Sequence, residues 1–527
     1  MSRRMAKWVP YFSYSEQQFF ASDDASEELI ENRKHSFYQL CSDLKQLSSE
    51  TIDESGALPA ISDVNFTTNY RVPFPFREYL NKHLKIGSMV NKAKGVQLQD
   101  LDGNWYYDLT GAYGVNLMGY DFYKDCLKEA QEISGDLGPV LGPYHPVIND
   151  NINHIKQISD LDEVSFHMSG TEAVMQAVRL ARYHTGKKRL VRFCGAYHGW
   201  WDGVQPGIGN NRQVNDVYTL NDMSEQTLKV LRTRDDIACV LINPLQALHP
   251  NSDASSDGML MNSNRSANYD HDAYARWLQM LEKVCKDKGI VFIMDEVFAG
   301  FRFGYFGAKD YFGVKPDMIT YGKTIGGGLP IGVVTGRADL MKRYKDDQPA
   351  NVSFARGTFN SHPLVMGTMN VFLNKVKQSP YKEQLIADKE LWASRRARMN
   401  ERLEQAGIPV KVDGLLSIWT VLYTKPSRYN WIYQFYLRRE KLLLSWIGTG
   451  RLIFSHNYSK TDFDQVTDAF IRAGKAMLAD GWWFESQLTN SEISKLFFRQ
   501  LLSAKFGFSK QPSHGHNANF IGTKTDA

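Results

Sequence analysis

Between about residue 125 and residue 375, short apolar runs alternate with stretches long enough to form a helix, and this alternation constrains the fold more than any other feature. The runs are Glu163–His167, Arg189–Phe193, Ala238–Asn243, Ile290–Asp295, Met318–Tyr321 and Ile331–Thr335. A strand flanked by helical crossovers must bury both of its faces, so the pattern predicts a mainly parallel sheet covered by helices, an α/β fold. Ligands of such sheets sit at the carboxyl ends of strands. The chemistry is therefore to be sought in the loops that follow these runs.

A chain of 527 residues is too long for one core, which stops growing at roughly 250–300 residues. Residues 1–70 carry Phe37, Leu40, Cys41 and Leu44 at the spacing of one helix face, which predicts an N-terminal helical extension. Over 71–125 the run Gly95–Asp108 alternates around Asp102-Gly103, the signature of a hairpin in the N-terminal part of a small domain. Residues 126–375 form the large domain. After a long charged helix expected around 376–406, strands at Pro409–Val412, Leu415–Tyr423, Leu442–Ser445 and Leu452–Ser455 and a helix in Thr461–Leu478 complete the small domain over 376–480. Ile493, Leu496, Phe497 and Leu501 predict one more helix within 481–508, and the polar residues 509–527 are expected to be disordered.

Composition removes several function classes. With 62 basic and 58 acidic residues, and no dense basic stripe, nucleic acid is not an expected partner. Five scattered cysteines without a C-x-x-C give neither a disulfide framework nor a zinc knuckle. No run of ~18 apolar residues is present to cross a membrane, and none of leader type follows the first residues, so a cytoplasmic protein is expected.

Four loops carry chemistry-bearing residues. Ser169-Gly170-Thr171 ends one strand and opens a helix, so its free N–H groups and the helix dipole suit an anion such as a phosphate; taken alone it also reads as an ordinary N-cap. Gly195-Ala-Tyr197-His198-Gly199 offers an aromatic ring for stacking and an imidazole, with no metal partner at ligand spacing, so no metal is assigned. Asp295 and Glu296 end a buried strand, and alternation sends them to opposite sides. Lys323 follows the next strand and precedes Gly326-Gly327-Gly328. A lysine held there can become nucleophilic, although any one lysine also reads as a solvated side chain. An acid-ended strand also fits a nucleotidase, but Asp317 stands where the first glycine of a phosphate loop is needed. G-x-S-x-G and H-E-x-x-H are absent. Tyr113 lies in the glycine-bearing loop Gly111–Tyr120, which is able to line a pocket and, taken alone, also reads as an ordinary turn.

Taken in order, Ser169-Gly-Thr-Glu-Ala, Gly195-Ala-Tyr-His-Gly, Asp295-Glu-Val-Phe-Ala-Gly-Phe-Arg302, Tyr321-Gly-Lys-Thr-Ile-Gly-Gly-Gly-Leu-Pro-Ile-Gly332 and Arg356-Gly-Thr-Phe-Asn-Ser-His-Pro-Leu364 resemble the class III aminotransferases. The Gly-Phe-Arg ending and the glycine run resemble the glutamate-1-semialdehyde aminomutase branch. The resemblance implies the type I pyridoxal-phosphate transferase fold, a large mainly parallel sheet domain plus a small α+β domain drawn from both chain ends, working as a homodimer. It implies that Lys323 binds pyridoxal 5'-phosphate covalently and later shuttles a proton. Asp295 would pair with the ring nitrogen, Val297 and Tyr197 would flank the ring with His198 near it, and Gln246 would reach the ring hydroxyl. Ser169, Gly170 and Thr171 would hold the phosphate, with Thr358 reaching it from the other subunit. Tyr113, Tyr144, Asn243 and Arg451 are the candidate substrate contacts.

Two departures bear on specificity. Asn243-Pro-Leu-Gln246 stands where the family usually has Glu-Pro-Val, and Ser361-His362-Pro where S-G-N-P is common. The resemblance implies amino transfer between an amine or amino acid and an aldehyde or keto acid, with intramolecular transfer on glutamate 1-semialdehyde as the alternative. The terminal extensions suggest a link to natural-product biosynthesis, and a non-catalytic binding or scaffold subunit is the alternative of another class.

Overall fold

The computed structural model of the protein describes residues 7–205, 209–212, 214–248, 261, 263, 270–386, 388–445, 450–484 and 488–507. The polar C-terminal stretch 509–527 lies outside the described residues.

Three strands near the N-terminus, β1 (Lys92–Lys94), β2 (Gln97–Gln99) and β3 (Trp105–Asp108), form an antiparallel meander whose β2–β3 connection carries Asp102-Gly103. The large sheet follows with β4 (Glu163–His167), β5 (Arg189–Phe193), β6 (Val217–Leu220), β7 (Ile237–Ile242), β8 (Val291–Asp295), β9 (Met318–Gly322) and β10 (Gly332–Gly336). Its order is β4-β10-β9-β8-β7-β5-β6. Strands β5 to β9 are parallel, and β10 runs antiparallel to both β9 and β4. Strand β4 therefore points the same way as β5–β9, and the ends of six strands share one edge of the sheet. Strands β7, β8 and β9 are buried at every residue, which explains their apolar sequences.

Strands β11 (Tyr344–Lys345) and β12 (Gln348–Val352) form a separate hairpin. The C-terminal part adds β13 (Val410–Leu415), β14 (Ile418–Tyr423), β15 (Leu442–Leu443) and β16 (Arg451–Ile453). Strand β15 pairs parallel with β3, which joins the two chain ends in one sheet, while β13-β14-β16 form another. The fold is thus a large mainly parallel α/β unit with smaller α+β sheets built from both ends. The helix expected around 376–406 begins later: the preceding helix, Pro363–Val376, ends before Ser379-Pro380, where proline cannot supply a helical N–H, and a single turn, Tyr381–Gln384, follows. Asp388 then caps a new helix, Lys389–Gln405.

The N-terminal extension is not loosely attached. Helix Glu27–Leu47 buries Arg33, Phe37, Leu40 and Leu44. Phe19 and Phe20 pack edge-on or tilted against Phe37, Tyr79, Trp431 and Trp482, so both chain ends share one aromatic layer. Each fully buried large apolar side chain in such a layer contributes about 2 kcal/mol. The C-terminal helix spans Asn490–Phe506, and its Phe497 meets Phe12 and Phe74.

Candidate active site

At the carboxyl edge of the large sheet the loops after β4, β5, β7, β8 and β9 converge. The register of β8 with β9 sets Asp295 opposite Thr320, whose hydroxyl donates to Asp295 Oδ1 at 3.1 Å. The Val297 N–H donates to the same oxygen at 3.1 Å. His198, from the loop after β5, hydrogen-bonds Asp295 Oδ2 through Nδ1 at 2.7 Å. The aspartate is buried, so three hydrogen bonds hold its carboxylate in one orientation. His198 Nε2 is buried without a hydrogen-bond partner among the described residues.

Val297 joins the other two loops. A Cβ on Gly170 would lie 2.4 Å from Val297 Cγ1, and one on Gly322 would lie 3.1 Å from that same atom. Only glycine permits this approach at residue 170. The turn at Ser169-Gly170, the end of β8 and the residue before Lys323 are thereby in contact. Ser169 caps helix Gly170–Thr185, accepting from the Glu172 N–H, while the Glu172 carboxylate accepts from Met168 N–H at 2.9 Å. The N-cap reading of this turn is therefore realised, and the N-terminus of the helix opens on the same edge.

Lys323 has φ +52°, a left-handed conformation uncommon for a residue with a side chain. Burial pulls its pKa below the ordinary lysine value, Asp295 opposes that shift, and Arg302 adds to it. Its Nζ lies 5.5 Å from the centroid of the Phe298 ring. A lysine whose charged form burial disfavours, near a fixed carboxylate, is able to attack a carbonyl carbon and to carry a proton.

Asn243 and Gln246 are committed to the neighbouring loop. Asn243 donates to Tyr197 O at 2.9 Å and accepts from the Leu245 N–H at 3.0 Å, and Gln246 donates to Cys194 O. They clamp the segment that carries Tyr197 and His198. The ring of Tyr197 is 61% exposed. Thr358 lies exposed in the turn before helix Pro363–Val376, where His362 caps the helix by accepting from the Leu364 N–H at 3.3 Å. Tyr113, φ +55°, is half exposed in a loop that β16 packs against through Ile453 and Gly111. Arg451 begins β16, and burial lowers its pKa. Tyr144 is exposed on the surface, where Arg356 reaches its hydroxyl at 3.4 Å.

Sequence reasoning did not single out Thr320 or Phe298, because each acquires its place only through strand pairing or loop return. Glu296 was expected to face away from Asp295. It is fully buried there, its Oε2 accepting from Ala308 N–H at 2.9 Å while Oε1 has no partner among the described residues, and burial pushes it up to about 7. No group of three or more His, Cys, Asp or Glu among the described residues is arranged to hold a metal. No helix among them is long and apolar enough to cross a membrane.

The family model for class III aminotransferases matches residues 79–419. The chain belongs to the class III aminotransferases. This class III aminotransferase is 30% identical over 405 residues to a glutamate-1-semialdehyde 2,1-aminomutase of Methanocaldococcus jannaschii, a match covering 74% of this chain and 86% of the relative. A glutamate-1-semialdehyde aminomutase structure from Pseudomonas aeruginosa PAO1 superposes with a TM-score of 0.65 at 16% identity, covering 85% of this chain and 99% of that one. A β-phenylalanine aminotransferase from Variovorax paradoxus gives 0.64 at 20% identity, over 84% and 97%. The enzyme is pyridoxal-phosphate dependent and has the type I fold of that family. Its residues fit the cofactor: a buried, triply held aspartate, a lysine at the next strand end, and an open helix N-terminus meet at one edge.

Proposed function

We propose that Lys323 is the cofactor-bearing lysine of an enzyme that moves an amino group between an amine or amino acid and an aldehyde or keto acid. The observation that carries this reading is the meeting of Asp295, Lys323 and the Ser169-Gly170-Thr171 turn around Val297. When bound, pyridoxal phosphate supplies an electron sink for the pair released as a substrate C–H bond breaks. Asp295, oriented by Thr320, Val297 N–H and His198, would hold a positive ring nitrogen. The helix N-terminus at Gly170 and the hydroxyls of Ser169 and Thr171 bind the phosphate dianion. Lys323, whose charged form burial disfavours, would move the proton. Asn243 and Gln246 keep the Tyr197 loop over the site, and Tyr113 and Arg451 line its small-domain side.

The exposed position of Thr358 supports a homodimer in which that loop crosses to the other subunit's phosphate site. A cytoplasmic location accords with the free cysteines, Cys41, Cys126, Cys194, Cys239 and Cys285.

The relatives named glutamate-1-semialdehyde 2,1-aminomutase favour a second reading, in which both amino positions belong to one substrate. Incubation of the purified enzyme with glutamate 1-semialdehyde separates the two. Product formed without an added amino donor establishes the intramolecular reaction; product formed only with donor and carbonyl acceptor together establishes the intermolecular one. No turnover of any amine and carbonyl pair in a broad screen would contradict the first reading, and no turnover of glutamate 1-semialdehyde alone would contradict the second.

A further inference from the structure

Arg302 stands at the end of the loop that follows β8, and its side chain is 1% exposed. Its Nη1 donates to Ser417 Oγ and to Phe454 O, each at 2.9 Å, and its Nη2 reaches Gly114 O at 3.4 Å and Asn116 O at 3.3 Å. Ser417 lies in the β13–β14 turn and Phe454 follows β16, so two acceptors belong to the C-terminal small-domain sheet. The other two belong to the Tyr113 loop. All four are neutral oxygens, and no carboxylate pairs with Arg302 among the described residues. A buried cation without a counter-ion is costly, and burial lowers this one to about 10.

The same guanidinium lies 5.7 Å from the centroid of the Phe298 ring, whose other cationic neighbour is Lys323 at 5.5 Å. The backbone of Gly114 presses on this ring as well: a Cβ there would stand 2.7 Å from Phe298 Cε2. One ring therefore touches the lysine, the arginine and the loop that the arginine binds.

We propose that Arg302 is a positioning residue that fastens the small-domain sheet and the Tyr113 loop to the Lys323 side of the site, with Phe298 as the shared wedge. The assignment rests on Lys323 as the reactive lysine. Seating of the small domain then determines where Phe298 and the Tyr113 loop stand beside the lysine, and the unpaired charge favours the uncharged amine that nucleophilic attack requires.

The test uses the full-length chain and its R302M and R302K variants. Amide hydrogen exchange over residues 111–117 and 452–456 reports fastening, and the pH dependence of Lys323 acylation by a small anhydride, followed by mass spectrometry on the cofactor-stripped chain, reports the charge. R302M is expected to exchange about tenfold faster in both segments and to need higher pH for acylation than the wild type. R302K keeps the charge but loses the planar fork, so it is expected to exchange faster with an unshifted acylation profile. Wild-type exchange in R302M or in R302K overturns the proposal, and if R302M does not fold, R302K alone decides it. An unshifted acylation profile in folded R302M overturns the electrostatic part. Both readouts follow the chain's own amides and amine, so they stand apart from whether cofactor mass is found on Lys323.

Discussion

Two fully buried arginines, Arg33 and Arg302, have their charges met in different ways. In the aromatic layer shared by the chain ends, Arg33 is 0% exposed and carries its own counter-ion: both carboxylate oxygens of Asp23 accept from it at 2.8 and 2.9 Å. The Gly481 carbonyl accepts from its Nε and the Phe20 carbonyl from Nη1, and Tyr429 stacks 4.6 Å away. Arg302, at the carboxyl edge of the large sheet, has neutral acceptors alone and an Nε without a partner among the described residues. At the same sheet edge lie a left-handed lysine, and a histidine nitrogen and a Glu296 oxygen without partners among the described residues. The Arg33 site meets its charge with a carboxylate, whereas Arg302, His198 and Glu296 at the sheet edge each keep an atom without a partner among the described residues; the terminal layer has such atoms as well, at Ser22 Oγ and Arg428 Nε.

Substitutions on the two sides should break differently. Lys323→Ala should lower kcat/KM by about four orders of magnitude or more, the scale of losing a covalent nucleophile, with unfolding in urea almost unchanged. Asp295→Asn should lower kcat by about 10³-fold while the fold remains, because the amide keeps the hydrogen-bonding shape but not the charge. On the other side, Arg33→Met leaves Asp23 buried and unpaired, and should cost about 3–5 kcal/mol in urea unfolding. Its kcat at low temperature should stay near wild type. A large kcat loss in folded R33M, or a large stability loss in K323A, would erase the contrast.

The smallest effect concerns Glu296. Its folded pKa is raised above the unfolded value to about 7, so the fold favours the protonated acid. That contribution is fully present below about pH 4.5 and is lost as pH rises towards 7, where the carboxyl ionises in the folded state too. Glu296→Gln should therefore lose less Tm than the wild type between pH 5 and pH 8, as read by calorimetry. An identical pH dependence in the two proteins would show that Glu296 does not titrate this way.

Much of the sheet was legible in the sequence because a strand buried on both faces is apolar along its length, as Ile237–Ile242 and residues 291–294 are. Edge strand β6, Val217–Leu220, escaped notice: Val-Tyr-Thr-Leu at a half-covered edge carries no such signature. The helix expected around 376–406 forms from Lys389 to Gln405 and starts later than expected, because Pro380 interrupts the chain before it and Asp388 supplies the cap. Asp295 and Lys323 were recognisable as strand-end residues. The His198–Asp295 bond was not, since in the strand order β8-β7-β5 the loop after β5 must pass beyond β7 to reach the end of β8. Nothing local to Gly195–Gly199 specifies that. Arg302 likewise was visible as a motif residue, while its four acceptors come from segments more than a hundred residues away on either side.

The central claim, that the sheet edge is a cofactor site built on Lys323, is tested most directly by borohydride reduction of the purified protein followed by peptide mass mapping. The account predicts one cofactor mass added per chain, carried by the peptide containing Lys323 and absent from K323A. Cofactor mass on a different lysine, or none in protein purified with pyridoxal phosphate, would contradict it.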